Sequence, residues 1–279
     1  MRTHIVTDSG CDLPDHLVQE LGVTVVPMTL RFGDEELLSG VELSTSGFWE
    51  RCAQSPTLPE TAAPSPGAFQ AAFQAAGEGG ADGVVCVCMS GALSATQEAA
   101  RVAAEAVSEQ LPVRVVDSRS ISMGEGLIVI GASRTTAEGG SLDEVASVAQ
   151  DLVSRTRFYG TMATLEYLRR GGRIGAAAAV FGSLLSFKPV IVLSDGAVQA
   201  ESRQRTRARS LHYLVDKLRH HLPVEQVAVV HGQAGDLDEF LDLVGQVVPR
   251  DSVLVADLGP TIGTHSGPGS IGLTFQVAP

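Results

Sequence analysis

Hydroxyl and carboxylate side chains follow the apolar runs of the N-terminal half, at the points where strands are expected to end. Thr7–Ser9, Ser90 with Ser94, and Asp117-Ser118 occupy such positions. Because the carboxyl ends of parallel strands lie at one edge of a sheet, this grouping indicates a site for a ligand with a polar head. For the aspartates, capping of the next helix is the favoured interpretation. Ser94 opens a predicted helix, where free N–H groups also favour an anion.

Arginine is concentrated in one part of an otherwise acidic chain. The formal charge of the protein is −12, whereas residues 169–209 hold eight basic and two acidic side chains. The planar guanidinium group suits a carboxylate or a phosphate better than an ammonium group does. We single out Arg173, because Gly171-Gly172 directly before it allow the backbone to approach another group closely. Arg207 and Arg209 fit a solvent-exposed helix face better.

The third candidate is a histidine in a glycine-rich segment. Residues 263–272 read GTHSGPGSIG and contain His265. The formal GxGxxG match in this segment precedes a predicted strand instead of opening a helix, so it does not indicate dinucleotide binding. We predict that His265 is accessible in a glycine-rich turn and has a functional role. The other histidines show no HExxH or similar spacing, and no metal site is expected.

Composition and charge exclude several classes of function. The acidic balance argues against nucleic-acid binding. The four cysteines form no CxxC pair, and Cys86 and Cys88 in an apolar run are expected to be core residues. In the apolar middle of the sequence, the longest stretch without Asp, Glu, Lys or Arg, 174–187, is shorter than the roughly 20 residues that span a bilayer. The charged N-terminus does not resemble a secretory signal. The sequence therefore predicts a soluble cytoplasmic protein.

Alternating strands and helices are expected to position these residues. The N-terminal strands are predicted at 5–6, 23–26, 83–89 and 113–116. Apolar strands separated by helices are typical of a parallel sheet covered on both faces. The second half is predicted to contain an Ala/Leu helix after Arg173, a hairpin at Asp195-Gly196 and further strands and helices. The length of 279 residues fits about two domains, and we predict an α/β fold with domains 1–155 and 156–279.

Seven short motifs occur in the order and spacing of the DegV family, which essentially the whole chain resembles. The motifs are IVTDSGCDL at 5–13, Thr61 in a Pro/Ser-rich loop, SGALSATQEA at 90–99, Asp117-Ser118, YLRRGGRI at 167–174, RQRTRA at 203–208 and IGTHSGPG at 262–269. The resemblance implies a two-domain fold, with an N-terminal parallel sheet flanked by helices and a C-terminal α/β domain.

The resemblance also implies a function. Such a protein encloses a long-chain fatty acid between its domains and is the binding subunit of a bacterial fatty acid kinase. It presents the carboxylate to a separate ATP-dependent kinase subunit, which makes the acyl phosphate for phospholipid synthesis. Transient contact with a membrane is compatible with this role. The chain would be a lipid-binding protein and not an enzyme, with no catalytic residue and no cofactor of its own.

Individual site residues follow from the resemblance position by position. It implies that Thr61 and Ser94 hold the carboxylate of the fatty acid. Arg173, Arg205 and His265 are implied to form a polar mouth that serves phosphoryl transfer or contact with the partner.

Two features of this sequence bear on those assignments. Arg203 is two residues before Arg205, and either could be the functional arginine. The chain departs from the family at residues 61–64, where the usual Thr-Ser-Gln-Pro reads Thr-Ala-Ala-Pro, and at Ser94-Ala95, where glycine usually follows the serine. The loss of a hydroxyl at 62 puts the support of Thr61 in question.

Two other functions are compatible with the same residues. A serine-dependent lipid hydrolase or acyltransferase would use Ser94 as the nucleophile and His265 as the base, but no GxSxG elbow is present. A phosphosugar or nucleotide binder would use the arginine-rich segment, but no Walker A pattern is present. The fatty-acid carrier requires a gap between the halves that is apolar along its length and polar at one end.

Overall fold

Two large sheets and one small sheet organise the chain in a computed structural model, which describes residues 2–55, 57–181 and 187–279. The strands are β1 Thr3–Asp8, β2 Thr24–Val26, β3 Thr29–Phe32, β4 Glu35–Leu38, β5 Glu60–Ala62, β6 Gly83–Cys88, β7 Val113–Asp117, β8 Thr156–Thr161, β9 Lys188–Ser194, β10 Ala197–Gln204, β11 Val224–Gly232, β12 Val253–Asp257 and β13 Ser270–Val277. The helices are α1 Asp15–Leu21, α2 Thr45–Gln54, α3 Pro66–Glu78, α4 Thr96–Val107, α5 Met123–Ala137, α6 Leu142–Arg155, α7 Glu166–Arg170, α8 Ala178–Phe181, α9 Arg207–His220, α10 Leu237–Gly245 and α11 Pro260–Ser266.

The N-terminal sheet is parallel, with the strand order β2-β1-β6-β7. Every residue of β6 is buried, because helices cover both faces of the sheet. Cys86 and Cys88 point to one side and pack with Phe73 of α3, whereas Val85 and Val87 belong to the core on the other side. The predicted parallel sheet flanked by helices is confirmed, and so is the interpretation of the two cysteines as core residues.

The C-terminal sheet is mixed, with the order β10-β9-β8-β13-β11-β12 and one parallel pair, β11 with β12, among its described strands. Helices α9 and α10 cover its outer face. Helix α5 contacts strands of both large sheets, and Met123, Leu127 and Ile128 are fully buried. The predicted boundary at residue 155 stays a prediction; α6 ends at Arg155 and β8 begins at Thr156.

Helix α2 connects the N-terminal half to α11. It begins after Ser44, whose hydroxyl accepts a hydrogen bond from the Gly47 N–H at 3.1 Å. Phe48 and Trp49 are buried where α2 contacts α11. The Trp49 indole N–H donates to the carbonyl of Leu258 at 3.1 Å, a contact between the two halves of the chain. This packing fixes the helix that carries His265.

Three local predictions differ from the structure. Residues 263–272 were expected to form a turn, but α11 extends to Ser266 because it packs against α2, and β13 follows from Ser270. The helix expected to open at Ser94 begins at Thr96. The helix expected after Arg173 is represented by a short 3-10 turn and α8, and its part over 182–186 lies outside the described residues. Across the described ranges, the helices are all too short or too polar to cross a bilayer.

Two buried aspartates hold loop backbone together near the carboxyl end of β1. Asp8 accepts hydrogen bonds from the N–H groups of Gly10 at 2.8 Å and Met89 at 2.9 Å. Asp12 accepts from the hydroxyl of Ser122 and from the Gly259 N–H at 3.0 Å, which directly precedes α11. The capping interpretation is therefore confirmed for Asp8, which caps the 3-10 turn Ser9–Cys11. Asp12 does not cap the helix that follows it and instead adds a bond between the two halves.

A third carboxyl, that of Glu125 in α5, is buried with them. Its Oε1 accepts a hydrogen bond from Thr7 at 2.8 Å, and its Oε2 has no hydrogen-bond partner among the described residues. Burial raises the pKa of Asp8 to about 6 and that of Asp12 to about 7. Burial, and then the neighbouring Asp8 carboxylate, raise the pKa of Glu125 well above its usual value. These groups therefore keep their protons to a higher pH in the folded protein than in the unfolded chain.

We expect the stability of the protein to fall as the pH rises from about 5 to about 8, because the unfolded chain loses its carboxyl protons near about pH 4, before the folded protein does. Glu125→Gln keeps an oxygen that can accept the hydrogen bond from Thr7, and it removes the carboxyl group whose pKa is raised. Its free energy of unfolding should exceed that of the parent protein at the upper pH, because the raised pKa of the Glu125 carboxyl costs the parent protein stability there and an amide does not ionise. Urea unfolding at both pH values measures this, with the exposed Glu138→Gln as the control. The prediction would be contradicted if the free energy of unfolding fell more steeply with pH in Glu125→Gln than in the parent protein.

Candidate functional site

A cavity of about 930 Å³, its opening included, lies between the two halves of the chain. Most of the described lining side chains are apolar: Met28, Ala63, Met89, Leu93, Ala95, Ile121, Phe158, Met162, Leu168, Ile191, Val198, Val230, Leu258, Ile262 and Ile271. Among the described lining residues, Arg173 is the only one of the types Asp, Glu, Lys and Arg. The cavity therefore suits a ligand that is apolar over most of its length.

Part of the cavity wall is the inner face of the C-terminal sheet. Gly160 of β8 and Gly272 of β13 lie directly opposite each other in the antiparallel pair, and both line the cavity. Ile191 and Val230 are their neighbours in the same row across the sheet. The two glycines leave this row without side chains at its centre, where the flanking aliphatic residues would otherwise be continuous. The Phe158 ring and the Val230 side chain occupy the space next to Gly272, where a Cβ atom would lie 2.8 Å and 2.6 Å from them.

Thr61 and His265 form a polar end of the cavity, and its lining contains four further hydroxyl residues, Thr161, Thr261, Ser266 and Ser270. Thr61, on β5, pairs with Leu30 of β3, and its hydroxyl is hydrogen-bonded to Nε2 of His265 on α11 at 2.9 Å. Ser94 and Arg173 line the same cavity. Four of the five predicted site residues are thus brought to one cavity from separate segments of the chain.

His265 is held as a neutral imidazole. Burial, and then the positive charge of Arg173, lower the pKa of His265 to about 4. The expectation of a turn is wrong, because this histidine belongs to the last turn of α11. Its side chain is half-buried, and its Nδ1 has no hydrogen-bond partner among the described residues. At neutral pH its ring can donate one hydrogen bond and accept one.

Arg173 lies at the solvent side of this polar end. Its Nε donates to the carbonyl of Leu93 at 3.2 Å and its Nη1 donates to the carbonyl of Gly171 at 2.8 Å. The first of these bonds links the arginine to the loop that carries Ser94. Because the residue remains exposed, its charge is retained without the full cost of burial.

Ser94 lies two residues before α4. Its hydroxyl shares a hydrogen bond with that of Thr96 at 2.8 Å and accepts one from the Thr96 N–H at 3.3 Å. The hydroxyl is therefore oriented by the start of the helix and not by an imidazole. A hydrolytic dyad of Ser94 and His265 is not formed, because the Nε2 of His265 bonds to Thr61 and its Nδ1 has no orienting partner.

Arg205 is the predicted site residue that the structure does not bring to the cavity. It is exposed between β10 and α9 and is not among the described lining residues. Arg203 is also exposed, on β10 opposite Pro189. The roles assigned to both arginines stay predictions.

A second pocket adjoins the cavity and has a polar character. It shares Thr61, Arg173 and His265 with the cavity. Its other described lining residues are Thr57, Leu58, Pro59, Glu60, Tyr167, Arg170, Gly171 and Thr264. The contact between Thr61 and His265 thus separates an apolar space from a polar one. Within residues 2–55, 57–181 and 187–279, no three His, Cys, Asp or Glu side chains are grouped so that they could hold a metal ion.

Sequence reasoning missed the residues that shape the apolar part of the cavity. Gly160 and Gly272 gave a usable signal, because an isolated glycine within a strand pattern often marks a close approach to the backbone. The aliphatic lining residues gave none, since their spacing is that of ordinary core positions. Tyr167 was noted only as part of a motif, whereas Gly171 was also noted as a position where the backbone can approach another group closely.

Comparison with known proteins identifies relatives over the full length. The model of the DegV family, described as uncharacterised proteins, matches residues 2–278. A DegV domain-containing protein of Streptomyces coelicolor is 38% identical over 277 residues, which cover 98% of this chain and 97% of that protein. A fatty-acid-binding DegV family protein from Thermus thermophilus is 31% identical, with a TM-score of 0.91 and 100% of both chains covered. A stearic acid-binding protein from Eubacterium ventriosum is 27% identical, with a TM-score of 0.86 and 98% of each chain covered.

We expect no serine-dependent ester hydrolysis, because the imidazole is bonded to Thr61 instead of Ser94. The parent protein and Ser94→Ala should hydrolyse p-nitrophenyl esters at the same background rate. Absorbance assays over a range of acyl lengths measure this, with Ser108→Ala on the surface as the matched control. Turnover by the parent protein that disappears in Ser94→Ala alone would revive the hydrolase interpretation.

Proposed function

The chain belongs to the DegV family, and on this premise we propose that it binds one long-chain fatty acid in the cavity between its halves. The observation that supports this most directly is the cavity itself, which is apolar along most of its lining and has hydroxyl, imidazole and guanidinium groups at one end. The relatives from Thermus thermophilus and Eubacterium ventriosum, which are fatty-acid-binding proteins, support the same ligand class.

The apolar lining supplies the affinity in this proposal. Burial of an alkyl chain contributes about 0.8 kcal/mol per methylene, so about 14 methylenes contribute roughly 11 kcal/mol before costs. The loss of translational and chain freedom on binding removes a large share of this gain. Chain burial therefore accounts for tight binding without any charged contact along the tail.

The polar end compensates the carboxylate, which would be costly to bury without partners. A hydroxyl has one hydrogen to donate and two lone pairs that accept. Thr61 therefore donates to the carboxylate while it accepts from the Nε2–H of His265, which assigns the proton of the neutral ring to Nε2. Ser94 donates likewise while it accepts from the hydroxyl of Thr96. Arg173 adds the positive charge at the solvent side.

We further propose that the protein presents this carboxylate to a separate ATP-dependent kinase subunit, which forms the acyl phosphate. The family resemblance supports this step, together with the polar pocket on the other side of Thr61 and His265. Arg170 and Arg173 line that pocket, and guanidinium groups suit the additional negative charge of a phosphate. In this arrangement the chain is a substrate-presenting subunit that works in the cytoplasm and serves phospholipid metabolism.

Removal of the two hydroxyls should weaken the retention of the fatty acid. Thr61→Val and Ser94→Ala each delete a hydrogen bond to a charged group, which contributes about 1.5–3 kcal/mol and corresponds to about 10- to 100-fold in affinity. Denaturing extraction followed by mass spectrometry measures the bound lipid, and circular dichroism checks the fold. Thr136→Val and Ser108→Ala, whose hydroxyls bond to carbonyls within or at the end of a helix, are the matched controls. If freshly purified parent protein shows only the mass of the lipid-free chain, the proposal is wrong.

Substitution of the exposed arginines should separate lipid binding from presentation. Arg205→Ala and Arg203→Ala are expected to retain the full fatty-acid content, because neither side chain is among the described lining residues of the cavity. If Arg205 contacts the phosphoryl group or the kinase, Arg205→Ala should lower phosphorylation by the purified kinase subunit about tenfold or more, with Arg203→Ala and the exposed Arg219→Ala unaffected. A loss in Arg203→Ala alone would transfer the role to that residue. If Arg205→Ala is purified without bound fatty acid, the assignment of Arg205 to presentation and not to lipid binding is contradicted.

A further inference from the structure

The backbone at the end of α7 lies against the ring of His265. Gly171 follows the helix, and a Cβ atom at this position would be only 2.0 Å from Nδ1 and 2.6 Å from Cε1 of His265. The φ angle of Gly171 is −73°, which every L-amino acid adopts readily. The local backbone therefore does not require glycine here. The requirement comes from the imidazole that occupies the space of a side chain.

The imidazole is thus held from two sides. On one side its Nε2 is hydrogen-bonded to Thr61, and on the other its Nδ1 edge meets Gly171. The carbonyl of Gly171 also accepts the hydrogen bond from Nη1 of Arg173. One residue without a side chain therefore contacts both the histidine and the arginine at the polar end of the cavity.

We propose that Gly171 is a positioning residue, whose missing side chain allows His265 to reach Thr61 and to close the partition between the cavity and the polar pocket. The contact itself follows from the geometry, and its importance for the carboxylate end rests on the proposed function. Gly171 touches no ligand in this arrangement and acts only through the histidine.

A methyl group at position 171 leaves the imidazole one way to move. A separation of 2.0 Å is far below a van der Waals contact of about 3.5–4 Å between heavy atoms, and Thr61 blocks retreat into the cavity. The ring must therefore turn towards the polar pocket, where it regains water. The titratable groups that it meets there are Glu60 of β5, Tyr167 and Arg170 of α7, and Arg173.

Hydration of the ring has a signature that a purely structural role of Gly171 would not produce. The pKa of His265, lowered to about 4 mainly by burial, should return towards its ordinary value of 6.5. Loss of packing elsewhere would lower the melting temperature but would leave this titration unchanged.

The test is an NMR titration of the histidine C–H resonances in lipid-free Gly171→Ala, with His265 assigned by its absence in His265→Gln. We expect the pKa of His265 to rise by one unit or more in Gly171→Ala. Gly235→Ala is the control, because a Cβ at that exposed loop position meets no atom within 4 Å, and it should leave the titration as in the parent protein. An unchanged His265 titration in Gly171→Ala would overturn the proposal.

A double-mutant cycle provides the second measurement. Gly171→Ala should lower the melting temperature of the parent protein, but it should have no such effect in a His265→Ala background, where the ring is absent. An equal loss in both backgrounds would overturn the proposal. If Gly171→Ala alone does not fold, the proposal is supported when the double variant Gly171→Ala/His265→Ala folds and melts at the same temperature as His265→Ala. Neither readout needs a bound fatty acid, so the lipid content of the parent protein tests the proposed function separately.

Discussion

The hydrogen bond between Thr61 and His265 joins two segments that are 204 residues apart in the chain. Each partner depends on a different part of the structure. Thr61 is placed by the pairing of β5 with β3, and His265 is placed by a short helix that α2 and Asp12 hold in position. The polar end of the cavity therefore exists only when both halves have folded and packed together. Neither half alone contains this arrangement.

The cavity reconciles two opposing physical requirements. An alkyl ligand gains free energy only from surroundings without water, whereas a carboxylate loses free energy in such surroundings unless it has hydrogen-bond donors. Here the two surroundings adjoin, because the mostly apolar lining leads to the Thr61 hydroxyl, the neutral imidazole and the exposed guanidinium. A charged histidine at the buried position would add a cost of desolvation, and the lowered pKa avoids it.

Local patterns in the sequence were sufficient for the N-terminal sheet and for the separate C-terminal sheet. The β-branched runs ending at Asp8, Cys88 and Asp117 predicted the central strands well, because buried parallel strands are uniformly apolar. Helix α5 was not predicted, since it packs against both sheets and is apolar on all sides, and so it lacks the periodic stripe of a surface helix. The glycine-rich segment around His265 has the composition of a loop and is helical only through tertiary contacts.

The candidate site, like the fold, could be predicted from the sequence only in part. Motif resemblance brought Thr61, Ser94, Arg173 and His265 together as candidates, and the structure places all four at the cavity. The bond between Thr61 and His265 could not be predicted, because it joins segments that no spacing rule connects. A close approach at Gly171-Gly172 was expected from the two glycines, but its partner, His265, was not. The burial that keeps the histidine neutral is likewise a property of the packed molecule and not of its neighbours in sequence.

The position of Trp49 gives the protein a built-in optical probe. The chain contains a single tryptophan, which is buried at the junction of the two halves and donates its indole N–H to Leu258 of the opposite half. Indole emission responds to polarity and to hydrogen bonding around the ring. Intrinsic fluorescence therefore reports the separation of the halves directly, without a label and without background from other indole groups.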